Sequence, residues 1–104
     1  MKIVYAPQAK ADLSEIRGYI RDELKNPAAA KNTVEKILKT CNLLAANPNA
    51  GFALEGKIGR ESDYRCLVSG NYIAFYRVEN RVEIMRILDG RTDPMRVVFG
   101  SATI

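Results

Sequence analysis

The strongest indication of the fold of this chain lies in residues 64–90, YRCLVSGNYIAFYRVENRVEIMRILDG. The stretch contains three runs rich in β-branched and aromatic residues, at 64–68, 72–78 and 82–88. Such runs are typical of β-strands, and the polar turn sequences SGN and ENR separate them. Strands joined by turns this short pair in antiparallel fashion. The stretch therefore predicts a meander of three strands.

The third of these runs does not alternate cleanly between apolar and polar residues. Val82, Ile84 and Leu88 are in phase with Arg86, whereas Met85 and Ile87 are in phase with Glu83. We therefore expect both faces of this strand to be partly covered. An arginine among aliphatic residues needs an anionic partner, because an unpaired buried charge is costly. That partner is either a carboxylate of this chain, from Glu83, Asp89 or Asp93, or an anionic group of a ligand.

Two amphipathic helices precede the meander. Residues 2–6 predict a short strand that ends at Pro7, and apolar residues then recur every three or four positions as far as Leu24. Asn26-Pro27 ends this helix and begins the next, with Asn as N-cap and Pro at the first helical position. The second apolar stripe comprises Val34, Ile37, Leu38, Cys41, Leu44 and Ala45, and ends near Asn47-Pro48.

The order of these elements predicts an α+β fold, in which a two-helix hairpin packs on an antiparallel sheet with a C-terminal three-strand meander. Its length of 104 residues is that of a single domain, spanning 1–104. Residues 48–63, which include Pro48, Gly51, Gly56 and Gly59, predict an exposed, irregular connection. Loops of this length are commonly functional.

The composition restricts the possible partners. Sixteen Lys and Arg residues against twelve Asp and Glu residues give a net charge of +4, which is compatible with nucleic acid or an acidic protein as partner. Cys41 and Cys66 lie in different contexts, so we expect buried, reduced thiols with no metal and no cofactor. No apolar run approaches the ~18 residues of a membrane span, which favours a cytoplasmic protein without a membrane partner.

Short segments distributed along the chain carry a family resemblance. They are Tyr5-Ala6-Pro7 with Ala11-Asp12-Leu13, the stretches 23–30 and 63–78, Asn47-Pro48 with Gly51, and the ending 86–93. In order and spacing they resemble toxins of the RelE/ParE family of type II toxin–antitoxin systems. The resemblance implies a protein that arrests growth until a cognate antitoxin neutralises it, and that meets operator DNA only through the antitoxin. We expect the antitoxin to present acidic and apolar residues to the arginines of the second half.

The family divides into two activities on one fold. RelE-like members cleave mRNA on the ribosome, whereas ParE-like members poison DNA gyrase, and the fold alone does not separate them. RNA cleavage needs a base, an acid and cations, and this chain has no histidine. Ile73 stands where the nucleases carry an arginine, and Val97 or Phe99 stands where a terminal tyrosine is wanted. The resemblance therefore favours a gyrase poison, which is not an enzyme, with a ribosome-dependent endoribonuclease as the alternative.

Six residues are candidates for target binding and toxicity. Arg91 matches an arginine that follows the last strand in both groups, and Arg65 matches a basic residue of the preceding strand. Arg86 is the third main candidate, and we expect all three to serve toxicity rather than folding. Glu55, Glu61 and Tyr72 are weaker candidates, and no residue is assigned as catalytic.

Overall fold

The computed structural model describes residues 1–54 and 63–99, except for the side chain of Phe99. The elements in chain order are β1 (Ile3–Tyr5), α1 (Pro7–Gly18), a π-helical turn (Tyr19–Glu23), α2 (Pro27–Asn42), a 3₁₀ turn (Leu43–Ala45), β2 (Phe52–Ala53), β3 (Arg65–Ser69), β4 (Tyr72–Val78), β5 (Val82–Asp89) and α3 (Pro94–Phe99). The helical hairpin and the meander are confirmed. β2 and α3 were not predicted, because a two-residue strand and a six-residue helix are too short to show periodicity.

The sheet has the strand order β1-β5-β4-β3-β2. The meander pairs are antiparallel as predicted, but β1 lies parallel to β5, so the sheet is mixed rather than wholly antiparallel. Parallel pairing requires a long crossover. Both helices and the other three strands lie between β1 and β5 in the chain, and they provide that crossover.

A bulge in β5 explains why its sequence does not alternate. Phe75 is paired with Arg86 and Tyr76 with Ile84, so Met85 has no partner opposite it on β4. An extra residue in one strand reverses the phase of the residues that follow. Ile87, and not Leu88, therefore shares the helix-facing side of the sheet with Ile84.

Apolar residues cover both faces of the sheet. The helices and the sheet enclose a cluster that includes Ile37, Cys41, Tyr76, Ile84 and Ile87. On the other face, Leu54, Cys66 and Phe75 form a second cluster, against which Met95 and Val98 of α3 pack. The predicted covering of both faces is confirmed.

The two cysteines are buried, free and in different clusters, as expected. Burial raises the pKa of the Cys41 thiol and raises that of Cys66 to about 12. Within residues 1–54 and 63–99, no helix combines the length and the apolar composition required to cross a bilayer.

The first helix changes its geometry before the hairpin turn. α1 ends at Gly18, and the backbone N–H of Leu24 donates to the carbonyl of Tyr19, five residues earlier. The wider π-helical turn shifts the phase, so that Ile20 is buried whereas Leu24 is 57% exposed. Leu24 therefore does not continue the apolar stripe that its spacing predicted. The predicted N-cap of α2 is confirmed, because the Asn26 side chain accepts from the backbone N–H of Ala29 at 3.0 Å.

Candidate functional site

Arg86 is paired with Asp12 of α1, 74 positions away, and not with any of the three carboxylates that its sequence neighbourhood suggested. Its Nε and Nη2 atoms donate to the two carboxylate oxygens at 2.8 and 3.0 Å. One of these oxygens also accepts the backbone N–H of Ile87 at 2.9 Å. The hydrogen bonds to Asp12 raise the pKa of Arg86, so the guanidinium stays charged.

The position of Asp12 follows from the short length of β1. β1 ends at Tyr5, opposite Ile84, and the chain then enters α1 at Pro7. Beyond Ile84, β5 has no strand beside it on that edge, and Asp12 supplies the missing acceptor. Only 5% of the Asp12 side chain is exposed, so the pair is part of the packing between α1 and β5.

A groove of about 460 Å³ opens between the first helical segment and the ends of β4 and β5. We call it the α1–β5 groove. Its lining consists of Asp12, Glu15, Ile16, Tyr19, Tyr72, Arg86, Ile87, Leu88, Asp89, Arg91 and Thr92. Three of the predicted site residues, Tyr72, Arg86 and Arg91, are thus brought together.

Arg91 lies at the rim of the groove and is 68% exposed. Its Nε and Nη2 atoms donate to the two carboxylate oxygens of Asp89 at 3.0 and 2.8 Å, and its backbone N–H donates to the same side chain at 2.8 Å. The hydrogen bond from Arg91 lowers the pKa of Asp89. Tyr72 lies opposite Asp89 in the β4–β5 register, and burial together with the nearby carboxylate raises the pKa of its phenol.

Tyr19 is a groove residue that the sequence analysis did not identify. It begins the π-helical turn, is 53% exposed and lines the groove together with Tyr72. The sequence analysis predicted a regular α-helix as far as Leu24, and in such a helix Tyr19 would be an ordinary surface residue. Gly18 was the available signal, because glycine is disfavoured within a helix and here it marks the end of α1.

Arg65 lies outside the groove and holds a loop. Its Nη2 atom donates to the carbonyls of Asn49 at 3.2 Å and Gly51 at 2.7 Å, and its Nε atom donates to the hydroxyl of Tyr76 at 3.4 Å. Tyr76 in turn donates to the carbonyl of Pro48 at 2.8 Å. These contacts give Arg65 a structural role, and its predicted part in toxicity stays a prediction.

The other weak candidates, Glu55 and Glu61, fall outside the described residues. Each described arginine of the second half has a partner within the chain. Besides Arg65, Arg86 and Arg91, these are Arg77 with Asp63, Arg81 with Glu83 and Arg96 with Asp93. A partner protein that binds these arginines through carboxylates must therefore compete with existing pairs. Such competition is feasible where the pairs are exposed, because exposed pairs contribute little.

Comparison with known proteins shows similarity to one family of toxins. A family model described as the ParE toxin of the type II toxin-antitoxin system parDE matches residues 3–94, a span that contains the whole groove. Toxin ParE1 of Caulobacter vibrioides is 35% identical over 81 residues, which are 78% of this chain and 80% of that protein. A chain in the solved chromosomal ParDE TA system from P. aeruginosa has a TM-score of 0.72 at 24% identity, covering 86% of this chain and 95% of that chain. At that identity the structural likeness concerns the fold.

Proposed function

Since this chain belongs to the ParE toxin family, and is thereby the toxin of a type II toxin–antitoxin system, we propose that it arrests growth by poisoning DNA gyrase. A cognate antitoxin neutralises it by binding across the α1–β5 groove, and contact with operator DNA occurs only through that antitoxin. Gyrase acts on DNA within the cell, so the toxin works in the cytoplasm.

The main support for this proposal is the set of residues that line the α1–β5 groove. Two tyrosines and an exposed arginine, Tyr19, Tyr72 and Arg91, surround a partly apolar opening. Tyrosine and arginine are enriched where proteins bind proteins, because each combines a large contact area with hydrogen-bonding groups. This lining suits a protein target such as a gyrase subunit.

The groove is less suited to RNA cleavage. Of its two guanidinium groups, that of Arg86 is held by the buried Asp12, and only that of Arg91, whose pair with Asp89 is exposed, can readily exchange its partner. Cleavage requires cations that are free to neutralise the phosphorane-like charge in the transition state. Ile73, at the position where the nucleases of the family carry an arginine, packs against the second hydrophobic cluster on the opposite face of the sheet.

Two assays on the purified toxin test the target. We expect inhibition of plasmid supercoiling by gyrase, with accumulation of cleaved DNA, and restoration of supercoiling when the antitoxin is added. Incubation with translating ribosomes should leave the mRNA intact. Ribosome-dependent mRNA cleavage that Arg91→Ala abolishes would instead assign the nuclease activity, and the family assignment would stand.

A further inference from the structure

The charges that line the α1–β5 groove do not balance. Arg86 is neutralised by Asp12 and Arg91 by Asp89, each through two hydrogen bonds. Glu15 is exposed on α1, one turn beyond Asp12, and has no ion-pair partner within the described part of the chain. Glu15 also acts on the guanidinium of Arg86 from a distance and helps to raise its pKa, although Asp12 holds that group more closely. Counted over the described lining, the three carboxylates exceed the two guanidinium groups by one negative charge, although the whole chain has a net charge of +4.

The remaining lining suits a cation that has an apolar stem. The rings of Tyr19 and Tyr72 contribute to the walls, and the faces of aromatic rings attract ammonium and guanidinium groups. Ile16 adds aliphatic surface. Lysine and arginine side chains bury their methylene stems on such surfaces while the charged end meets a polar group.

We propose that the α1–β5 groove receives the side chain of an arginine or lysine from the antitoxin. The charged end approaches the carboxylate of Glu15, and the stem lies between Ile16 and the two tyrosine rings. An acidic side chain is disfavoured there, because it would approach Glu15 and would have to displace the buried Asp12 from Arg86 or Asp89 from Arg91. The inference rests on the antitoxin of the proposed function and is independent of gyrase as the target.

Titration of the full-length toxin with amino-acid derivatives tests the chemistry directly. N-acetyl-arginine methylamide, the citrulline derivative as its uncharged isostere and the glutamate derivative are added, and ¹H–¹⁵N NMR spectra are recorded. We expect the arginine derivative to shift the amide signals of Ile16, Tyr19 and Tyr72, with at least about threefold weaker binding of the citrulline derivative. The glutamate derivative should leave these signals unchanged. Equal binding of arginine and citrulline, preferential binding of glutamate or no shift in the groove would overturn the proposal.

A pair of matched variants links the site to the antitoxin. Glu15→Gln should weaken binding of both the arginine derivative and the antitoxin by about two- to fivefold, the range expected for one exposed ion pair. Glu35→Gln, a change at an exposed glutamate of α2 away from the groove, should alter neither affinity. If the antitoxin binds Glu15→Gln and the unchanged toxin with the same affinity, the antitoxin does not place a cationic side chain in the groove.

The two proposals fail in different ways. Loss of the expected gyrase inhibition, with the arginine shifts and the Glu15 effect intact, contradicts the target and leaves the groove assignment standing. Groove shifts that persist unchanged when the toxin is saturated with antitoxin contradict the groove assignment, whatever the result with gyrase.

Discussion

At the residue scale, Asp12 shows how one carboxylate can complete the edge of a sheet. It accepts two hydrogen bonds from Arg86 and one from the backbone of Ile87, at the point where β1 has left the sheet. A buried carboxylate with three donors is stable only while all of them are present, since removal of a partner leaves an uncompensated polar group. The Asp12–Arg86 pair thus holds α1 against β5, and both residues also line the α1–β5 groove.

We expect Asp12→Ala to lower the free energy of unfolding by about 3 kcal/mol, because it leaves Arg86 and the Ile87 N–H without an acceptor. Urea denaturation measures the change. Glu15→Ala, one turn further along the same helix and exposed, is the control and should change stability by less than ~0.5 kcal/mol. Similar small effects for both substitutions would show that the Asp12 pair does not hold α1 on the sheet. The same contacts imply that Arg86→Ala lowers stability. A loss of toxicity in that variant therefore indicates a role in target binding only if its melting temperature shows that the protein is still folded under the assay conditions.

Arg91 differs from Arg86 because its ion pair is exposed. We expect Arg91→Ala to abolish growth arrest with little change in melting temperature, since exposed pairs contribute little. Arg81→Ala is a matched control, because Arg81 is also exposed and also pairs with an acidic residue two positions away, Glu83. Growth arrest and thermal melting are measured for both variants. Full toxicity of Arg91→Ala would remove this residue from the target-binding surface.

At the element scale, Tyr76 acts together with Arg65 to attach the connection after α2 to the sheet. The Tyr76 hydroxyl, on β4, accepts the backbone N–H of Gly51 at 3.1 Å and donates to the carbonyl of Pro48. Glycine is required at position 51 because β3 approaches it closely: a Cβ atom there would clash with the carbonyl group of Cys66 and with the Tyr76 hydroxyl. The chain after α2 is therefore held against the sheet through defined contacts over residues 48–51.

We predict that Tyr76→Phe destabilises the protein by about 1–3 kcal/mol, since it leaves a half-buried donor and acceptor without their partner. Hydrogen exchange of the Gly51 amide should accelerate more than that of amides in β4. Tyr19→Phe, which removes the hydroxyl of an exposed ring, is the control. It should have little effect on the stability or on the exchange of the Gly51 amide. Unchanged exchange at Gly51 would mean that Arg65 alone holds this segment.

At the scale of the whole molecule, the sheet separates two apolar clusters and places one cysteine in each. Cys41 faces the helices and Cys66 lies in the cluster covered by α3, so the two thiols are on opposite sides of the sheet. Because burial raises the pKa of Cys66 to about 12, very little of this thiol is ionised at pH 8. Neither residue lines the α1–β5 groove.

We therefore expect the double variant Cys41→Ala, Cys66→Val to retain growth arrest with a modest loss of stability. In the native protein, mass spectrometry after treatment with iodoacetamide at pH 8 should show slow modification of Cys66, and unfolding in urea should make it fast. Loss of growth arrest without loss of stability would point to a thiol function. Fast modification of Cys66 in the folded state would contradict its burial.

The features of this protein that depend on local pattern could be predicted from its sequence. Hydrophobic periodicity predicted the helical hairpin and the meander, and Asn26-Pro27 located the start of α2. The same local reading predicted buried thiols at Cys41 and Cys66, and ordered motifs identified the family. These features follow from propensities and spacings within a few residues of each other, which a sequence displays directly.

How the elements pack against one another could not be predicted in this way, because it depends on contacts between distant parts of the chain. Periodicity shows that β1 is a strand but not that it lies parallel to β5, and an apparent loss of alternation in β5 does not by itself reveal a bulge. Asp12 is paired with Arg86 across 74 positions, and the π-helical turn brings Tyr19 to Tyr72 and Arg91 in one groove. A buried arginine needs a carboxylate close to it in space, but the sequence contains many carboxylates that could serve. Which of them lies near the arginine depends on how the helices pack on the sheet. The charge of the groove was therefore undetermined until the fold had assigned each arginine its carboxylate.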